Sequence, residues 1–155
     1  MSFDAAAVAT LFDRVESHAL TLGIFESVNT HEPKVAPGSG LRCAIWVQDI
    51  RGVGMASGLS ATSGVVTLNE RIYSNFLQQP LDGIDPDMLT AATTLLNAYT
   101  GDFDLGATVR NIDLLGQFGT PMSATAGYLT QDNRVYRVMT INLPIVVNDL
   151  WTQEA

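Results

Sequence analysis

Few residues in this chain could do chemistry. His18 and His31 are the only histidines and Cys43 the only cysteine, so a four-ligand zinc site cannot be assembled at the usual spacings. His31-Glu32 runs into Pro33 and not into the spacing of a zinc-binding helix. His18, four residues after Arg14 and beside an acid-bearing face, reads as a surface or interface residue. Gly52-Val53-Gly54 is followed by Gly58, without the third glycine of a dinucleotide fingerprint and without a helical pattern opening there. No G-x-S-x-G elbow is present to raise a nucleophilic serine. The run Asp82-Gly83-Ile84-Asp85-Pro86-Asp87 has oxygen donors that suit calcium, but its spacing is not that of an EF-hand and Asp85 has a capping role. Asp102-Phe103-Asp104 is a weaker version of the same pattern. Glu70 and Asp113 could be written as an acid–base pair, yet partnering Arg71 and Arg110 accounts for them more simply. The chain is therefore not read as an enzyme, and it is assigned no catalytic residue, cofactor or metal.

The elements that carry these residues are better signalled. From Gly64, Val66, Leu68 and Ile72 alternate with Thr67, Arg71 and Tyr73, the period of a two-faced strand of about ten residues. Asp85-Pro86 then predicts a helix start, with Asp85 as N-cap and Pro86 at the first helical position. Met88, Ala92, Leu95 and Tyr99 recur on one face of that helix, which should lie back on the sheet. Residues 3–22 predict a second amphipathic helix on Phe3, Ala7, Leu11, Val15 and Leu22, capped by Ser2 or Asp4 and stopped by Gly23.

The remaining stretches read as strands and loops. Ile24–Asn29 is a short strand, and His31–Gly40 a loop. Leu41–Ile50 is a strand with Leu41, Cys43, Ile45 and Val47 on one face and Arg42, Trp46 and Gln48 on the other. Trp46 there needs cover from a helix or a subunit. Arg51–Gly64 is glycine- and serine-rich, a mobile loop in an isolated subunit. Gly101–Gly106 is a turn, and Thr108–Leu115 a strand containing Asp113. Met122–Thr130 and Arg134–Leu143 form a hairpin through Gln131-Asp132-Asn133. Pro144 should bend or end its strand, and Asn148–Ala155 should be poorly ordered unless Trp151 docks. This order predicts a single α+β domain over 1–155, with a mixed, largely antiparallel sheet flanked by an N-terminal helix and a central helix.

Composition narrows the function classes. The chain has 155 residues, 46% hydrophobic and 15% charged, with a net charge of −8. Lys34 is its only lysine, which argues against nucleic-acid binding through phosphate neutralisation. No apolar run approaches the length of a membrane helix, and residues 2–10 carry Asp4 without a basic segment, unlike a signal peptide. A cytosolic compartment is expected. So few charges suit surface buried between subunits, or a surface polar through Ser, Thr, Asn and Gln. Between Ile72 and Val109 there is no Lys or Arg, but Asp82, Asp85, Asp87, Asp102 and Asp104; Arg110, Arg134 and Arg137 come later. Such asymmetry suits head-to-tail contact between identical copies, as it also suits a solvated acidic loop region.

An ordered set of patches resembles the tail terminator proteins of long, non-contractile-tailed bacteriophages. It comprises Ser17-His18-Ala19-Leu20, Gly23-Ile24-Phe25-Glu26, His31-Glu32-Pro33-Lys34 with Pro37-Gly38, Trp46-Val47-Gln48, Ser57-Gly58-Leu59 and Arg71-Ile72-Tyr73. It continues through Asp82-Gly83-Ile84-Asp85-Pro86, Gly101-Asp102-Phe103, Arg110 to Gly116 (RNIDLLG), Gly127-Tyr128, Tyr136-Arg137-Val138 and Pro144 to Asp149 (PIVVND). Each patch alone is unspecific; their order over most of the chain carries the resemblance. It implies a lambda-type tail-terminator-like fold and a virion structural protein at the neck of the tail, assembled in the host cytoplasm. Such a subunit forms a ring, usually hexameric, on the finished tail tube, stops tube polymerisation and meets the head–tail connector or stopper. DNA passes through the lumen without specific binding, and no membrane is involved.

On this reading the subunit-interface candidates are Trp46, Arg71, Tyr73, Asp82, Asp85, Arg110, Asp113, Tyr136 and Arg137. Arg71, Arg110 and Arg137 are expected to meet acids of a neighbour, among them Asp82, Asp85 and Asp113. The alternatives are another neck or tail component, such as a tube subunit or head-closure protein, and a small cytosolic ligand-binding domain or enzyme.

Overall fold

The computed structural model describes residues 4–33, 40–54, 57, 58, 60–75 and 83–152. The fold is α+β: one curled, mixed and largely antiparallel sheet with two helices packed on one face. The elements in order are α1 (Ala5–Leu22), β1 (Ser27–Asn29), β2 (Arg42–Gly52), β3 (Ala61–Asn75), α2 (Ile84–Gly101), β4 (Asn111–Ile112), β5 (Ser123–Gln131) and β6 (Arg134–Thr152). In space the strands run β1-β2-β3-β6-β4, with β5 also paired to β6. The β1–β2 pairing is parallel and all the others are antiparallel.

Helix α1 takes Asp4, one of the two expected caps, and stops at Gly23 as its sequence predicts, but starts at Ala5; Ser2 and Phe3 lie outside the described residues. The Asp4 carboxylate accepts from the Ala7 N–H at 3.0 Å, and Gly23 closes the helix at φ 68°, a conformation that costs a residue with a Cβ about 1–2 kcal/mol. Leu11, Val15 and Ala19 bury its inner face, and Met88, Ala92, Leu95 and Tyr99 do the same for α2. They pack on Cys43, Ile45, Val66, Leu68, Ile72, Ile141, Leu143 and Ile145 of the sheet. At ~1.5–3 kcal/mol for each fully buried large apolar side chain, this layer contact is the main source of stability.

Several boundaries differ from the sequence reading. Helix α2 starts at Ile84 with Gly83 as N-cap and no side-chain cap, so Asp85 is not the cap and Pro86 is not the first helical residue. Ile84 is buried, and its apolar side chain draws the start of the helix inward. Pro86 is still tolerated, because the first-turn N–H groups have no helical acceptor anyway. The expected strand over Thr108–Leu115 shrinks to Asn111–Ile112. Leu105, Gly106 and Ala107 hold positive φ before it, and the chain turns at Asp113 after it. The expected loop over 51–64 is shorter, since β2 and β3 stay paired as far as Gly52 and Gly64.

Pro144 does not end its strand. Strand β6 continues through it, opposite Thr67, to Thr152. Its carbonyl accepts from the Asp113 N–H at 2.8 Å, so the side of the residue that lacks an N–H faces the break between β5 and β4. The tail as far as Thr152 is therefore ordered in the sheet, with Trp151 opposite Thr62. Opposite Ser63, β6 bulges through Asn148–Leu150, with Asp149 at φ 54°. Asp132 and Asn133, both at positive φ, make the two-residue turn between β5 and β6. The outer edge of β2 is irregular at Gln48 and carries Asp49 and Arg51, features that discourage edge-to-edge pairing.

Candidate functional site

Strand parity gives the sheet a second face, turned away from the helices. Register places Arg42, Ala44, Trp46, Asn69, Arg71, Tyr73, Val138, Thr140 and Asn142 on it. Near the β5–β6 turn, Ala44, Tyr73, Tyr136 and Val138 form a small buried cluster, with Trp46 and Leu129 against it. Tyr73 and Tyr136 meet edge to face at 6.4 Å. Pro33 lies over this end, its carbonyl accepting from Gln131 Nε2 at 3.3 Å. At the other end Val53, Val65 and Val146 pack beneath Phe118, whose carbonyl accepts from Arg51 at 2.7 Å.

Between the two clusters lies Arg71. Its Nε donates to Thr140 Oγ1 at 2.9 Å, and its guanidinium sits 5.2 Å over the Trp46 ring and 6.0 Å over that of Tyr73. Burial raises the pKa of the Tyr73 hydroxyl, while the adjacent Arg71 charge works against that rise. Stacking of this kind is worth ~0.5–2 kcal/mol and fixes the plane of the guanidinium. The structure thus brings together four of the predicted interface residues, Trp46, Arg71, Tyr73 and Tyr136, on one face.

The other candidates lie elsewhere. Arg137 is on the helix side, where its Nε is 2.9 Å from Asp85 Oδ1 of its own chain, and its guanidinium is 4.5 Å over the Tyr128 ring. Asp113 is buried, and its carboxylate accepts from the Gln117 and Phe118 N–H groups at 2.7 and 2.9 Å. It shapes the turn over 113–118 and does not face an arginine. Arg110 lies over Phe118 at 5.7 Å and donates to Asn148 at 3.4 Å, beside an open groove where Asp4 and Thr10 of α1 face Asn148 and Asp149. Asp82 lies outside the described residues. Among the described residues, no group of His, Cys, Asp and Glu is arranged to hold a metal, and no helix is long and apolar enough to cross a membrane.

Glu70, expected from the sequence to partner an arginine, does not do so, because it points to the helix side of β3 and Arg71 to the other. Glu70 is fully buried between the sheet and α2, where Tyr99 Oη donates to its Oε2 in a very short hydrogen bond and Oε1 has no partner. Burial raises its pKa from 4.5 to about 7, against the lowering effect of Tyr99 and the Cys43 thiol. Burial and the neighbouring carboxylate in turn push Tyr99 and Cys43 well above their ordinary values. His18 meets the Tyr99 ring edge-on at 5.2 Å and places Nε2 2.8 Å from Asp102 Oδ2. For Asp102 burial raises the pKa, but the Gly106 N–H and His18 outweigh it and the net shift is downward. The signal for Glu70 was present in the sequence: it falls on the apolar parity of Val66, Leu68 and Ile72, where a charged residue is out of pattern.

The described charges are unevenly shared between the two layers. Arg42, Arg51, Arg71 and Arg134 all fall on the outer face of the sheet by register, with Asp49 the one strand acid beside them. The helical layer and its flanks carry Asp4, Asp13, Glu16, Asp85, Asp87, Asp102 and Asp104, and with them Arg14, Arg110 and Arg137. No family model and no curated protein matches the chain.

Proposed function

We propose that this chain is a ring-forming tail terminator subunit of a long-tailed bacteriophage: identical copies close on the end of the tail tube, stop its growth and present a face to the head–tail connector. The ordered set of patches that resembles this family is the starting point. The observation that carries the reading further is the uneven sharing of charge, a sheet face whose strand charges are mainly arginine against a helical layer in which acids outnumber arginines. Two different, complementary surfaces on one subunit favour a heterologous contact, which closes into a ring when the rotation between copies divides the circle. The excess of acid serves the passage of DNA, since a lumen with few cations repels phosphate and does not hold it.

The test is the mass of the purified protein in solution, imaged by electron microscopy with and without tube subunits. Closed single-layer rings that cap tubes are expected. A protein that stays monomeric at high concentration and leaves tube length unchanged would overturn the proposal. Open-ended stacking of the chain into tubes would assign it to the tube instead. In a phage lysate lacking the protein, overlong headless tails are expected, whereas absent tails would indicate a tube role.

A further inference from the structure

We infer that the outer face of the sheet, centred on Arg71 stacked over Trp46, is covered in the assembly by the outer surface of α2 from a second copy of this chain. The inference rests on the proposed ring, and names which surfaces meet within it.

Three observations select these surfaces. First, Arg71 is preorganised: its Nε donates to Thr140 and its guanidinium carbon lies over two aromatic rings. A guanidinium so fixed loses little freedom when an acid approaches. Arg51 and Arg71 form no ion pair among the described residues. Second, the outward side of α2 has the matching chemistry. Leu89 is 61% exposed in its second turn, and the first turn carries Asp85 and Asp87. Asp85 is held by Arg137, which leaves Asp87 as the first-turn acid toward a neighbour. An exposed leucine beside an acid suits a half-buried tryptophan beside an arginine, because the apolar pair excludes water from around the charged one. Third, the two surfaces are on opposite sides of a two-layer subunit. No chain can close this contact on itself, so each copy offers one surface forward and the other backward.

The opposed placement makes the test direct. Asn69 lies beside Trp46 and Arg71 on the outer face, and Thr93, one turn after Leu89, is exposed on α2. In the double variant Asn69→Cys with Thr93→Cys, a disulfide between the two sites can only join separate copies. Under mild oxidation this variant should give a ladder of covalent multimers up to the ring, while either single variant stops at dimers. Arg71→Glu should raise the concentration needed for half-assembly about ten-fold or more, and adding Asp87→Arg should recover most of that loss. Circular dichroism checks that each variant is folded. Rings that form without the ladder, and that tolerate Arg71→Glu, would overturn this contact and leave the ring reading standing. A wild-type protein that forms no rings at all would overturn the ring itself.

Discussion

Replacing Glu70 by Gln should stabilise the protein at alkaline pH and not at acidic pH. The carboxyl is sealed between β3 and α2, with Tyr99 on one oxygen and nothing on the other. Its pKa stands at about 7 in the folded chain against an ordinary 4.5. Between those values the unfolded chain has released a proton that the folded chain still holds, so stability falls as pH rises from 4.5 towards 7. Below that window both states are protonated, and above it both are ionised. At ~1.36 kcal/mol per pH unit the loss across the window is ~3 kcal/mol. Glutamine keeps the shape and an acceptor for Tyr99 but cannot ionise; its amide brings one poorly satisfied donor, costing about 1 kcal/mol.

The variant should therefore be about 2 kcal/mol more stable than the parent at pH 8 and slightly less stable at pH 4. Urea unfolding followed by circular dichroism at a series of pH values measures this, with the oligomeric state held constant because assembly adds to apparent stability. In thermal melts the swing corresponds to roughly 6–12 °C for a domain of this size. Parallel pH profiles for parent and variant would refute the reasoning, since they would mean that the carboxyl is not held neutral.

Other perturbations probe the same layers. Tyr99→Phe removes the hydroxyl that favours the ionised form of Glu70, so the pH-dependent fall in stability should extend further above 7, as the same urea series would reveal. Asp113→Ala leaves the Gln117 and Phe118 N–H groups without their acceptor and should cost about 3 kcal/mol in urea unfolding, whether or not the protein assembles. Gly64→Ala would place a Cβ 2.5 Å from Leu150 Cδ2 and 2.7 Å from the Arg51 carbonyl oxygen. The backbone atom cannot give way cheaply, so a loss of about 1–3 kcal/mol is expected in the same assay.

How much of this was legible in the sequence depended on how local the cause was. The inner faces of α1 and α2 could be read because Leu11 and Val15, or Met88, Ala92, Leu95 and Tyr99, repeat within a few residues, and Gly23 marks an end by its own chemistry. The start of α2 was misread for a non-local reason. Asp85 has the right chemistry for a cap, but in the fold it pairs with Arg137, 52 residues away, while Gly83 takes the cap position. The missing N–H of Pro144 is visible in the sequence, but the pairing that makes its loss harmless involves Asp113, just past the end of β4. Asp113 looked like a strand residue open to an arginine, yet the turn after it consumes its carboxylate. Trp46, Arg71, Tyr73 and Tyr136 each stand out by their own chemistry; that they share a face depends on pairing between three strands.

The charge pattern changes meaning in the same way, and this leads to a last prediction. Along the sequence the acids separate from the bases by stretch, whereas in the fold the acids gather on the helical layer and Arg42, Arg51, Arg71 and Arg134 share the other face of the sheet. Two opposed electrostatic terms then act on assembly. Each copy carries −8, so whole subunits repel one another over long distances, and that repulsion is already screened as the Debye length shortens from about 30 Å at 0.01 M salt to about 10 Å at 0.1 M. The attraction of Arg71 for Asp87 of a neighbour acts at contact and weakens only towards 1 M, where the Debye length is about 3 Å. Assembly followed by light scattering should accordingly strengthen from 0.01 to 0.1 M salt and weaken again towards 1 M. In Arg71→Gln the second limb should disappear, because only apolar contacts such as Leu89 on Trp46 would remain, and these do not weaken with salt. A wild-type curve that rises without a maximum would mean that the arginine face does not hold the copies together.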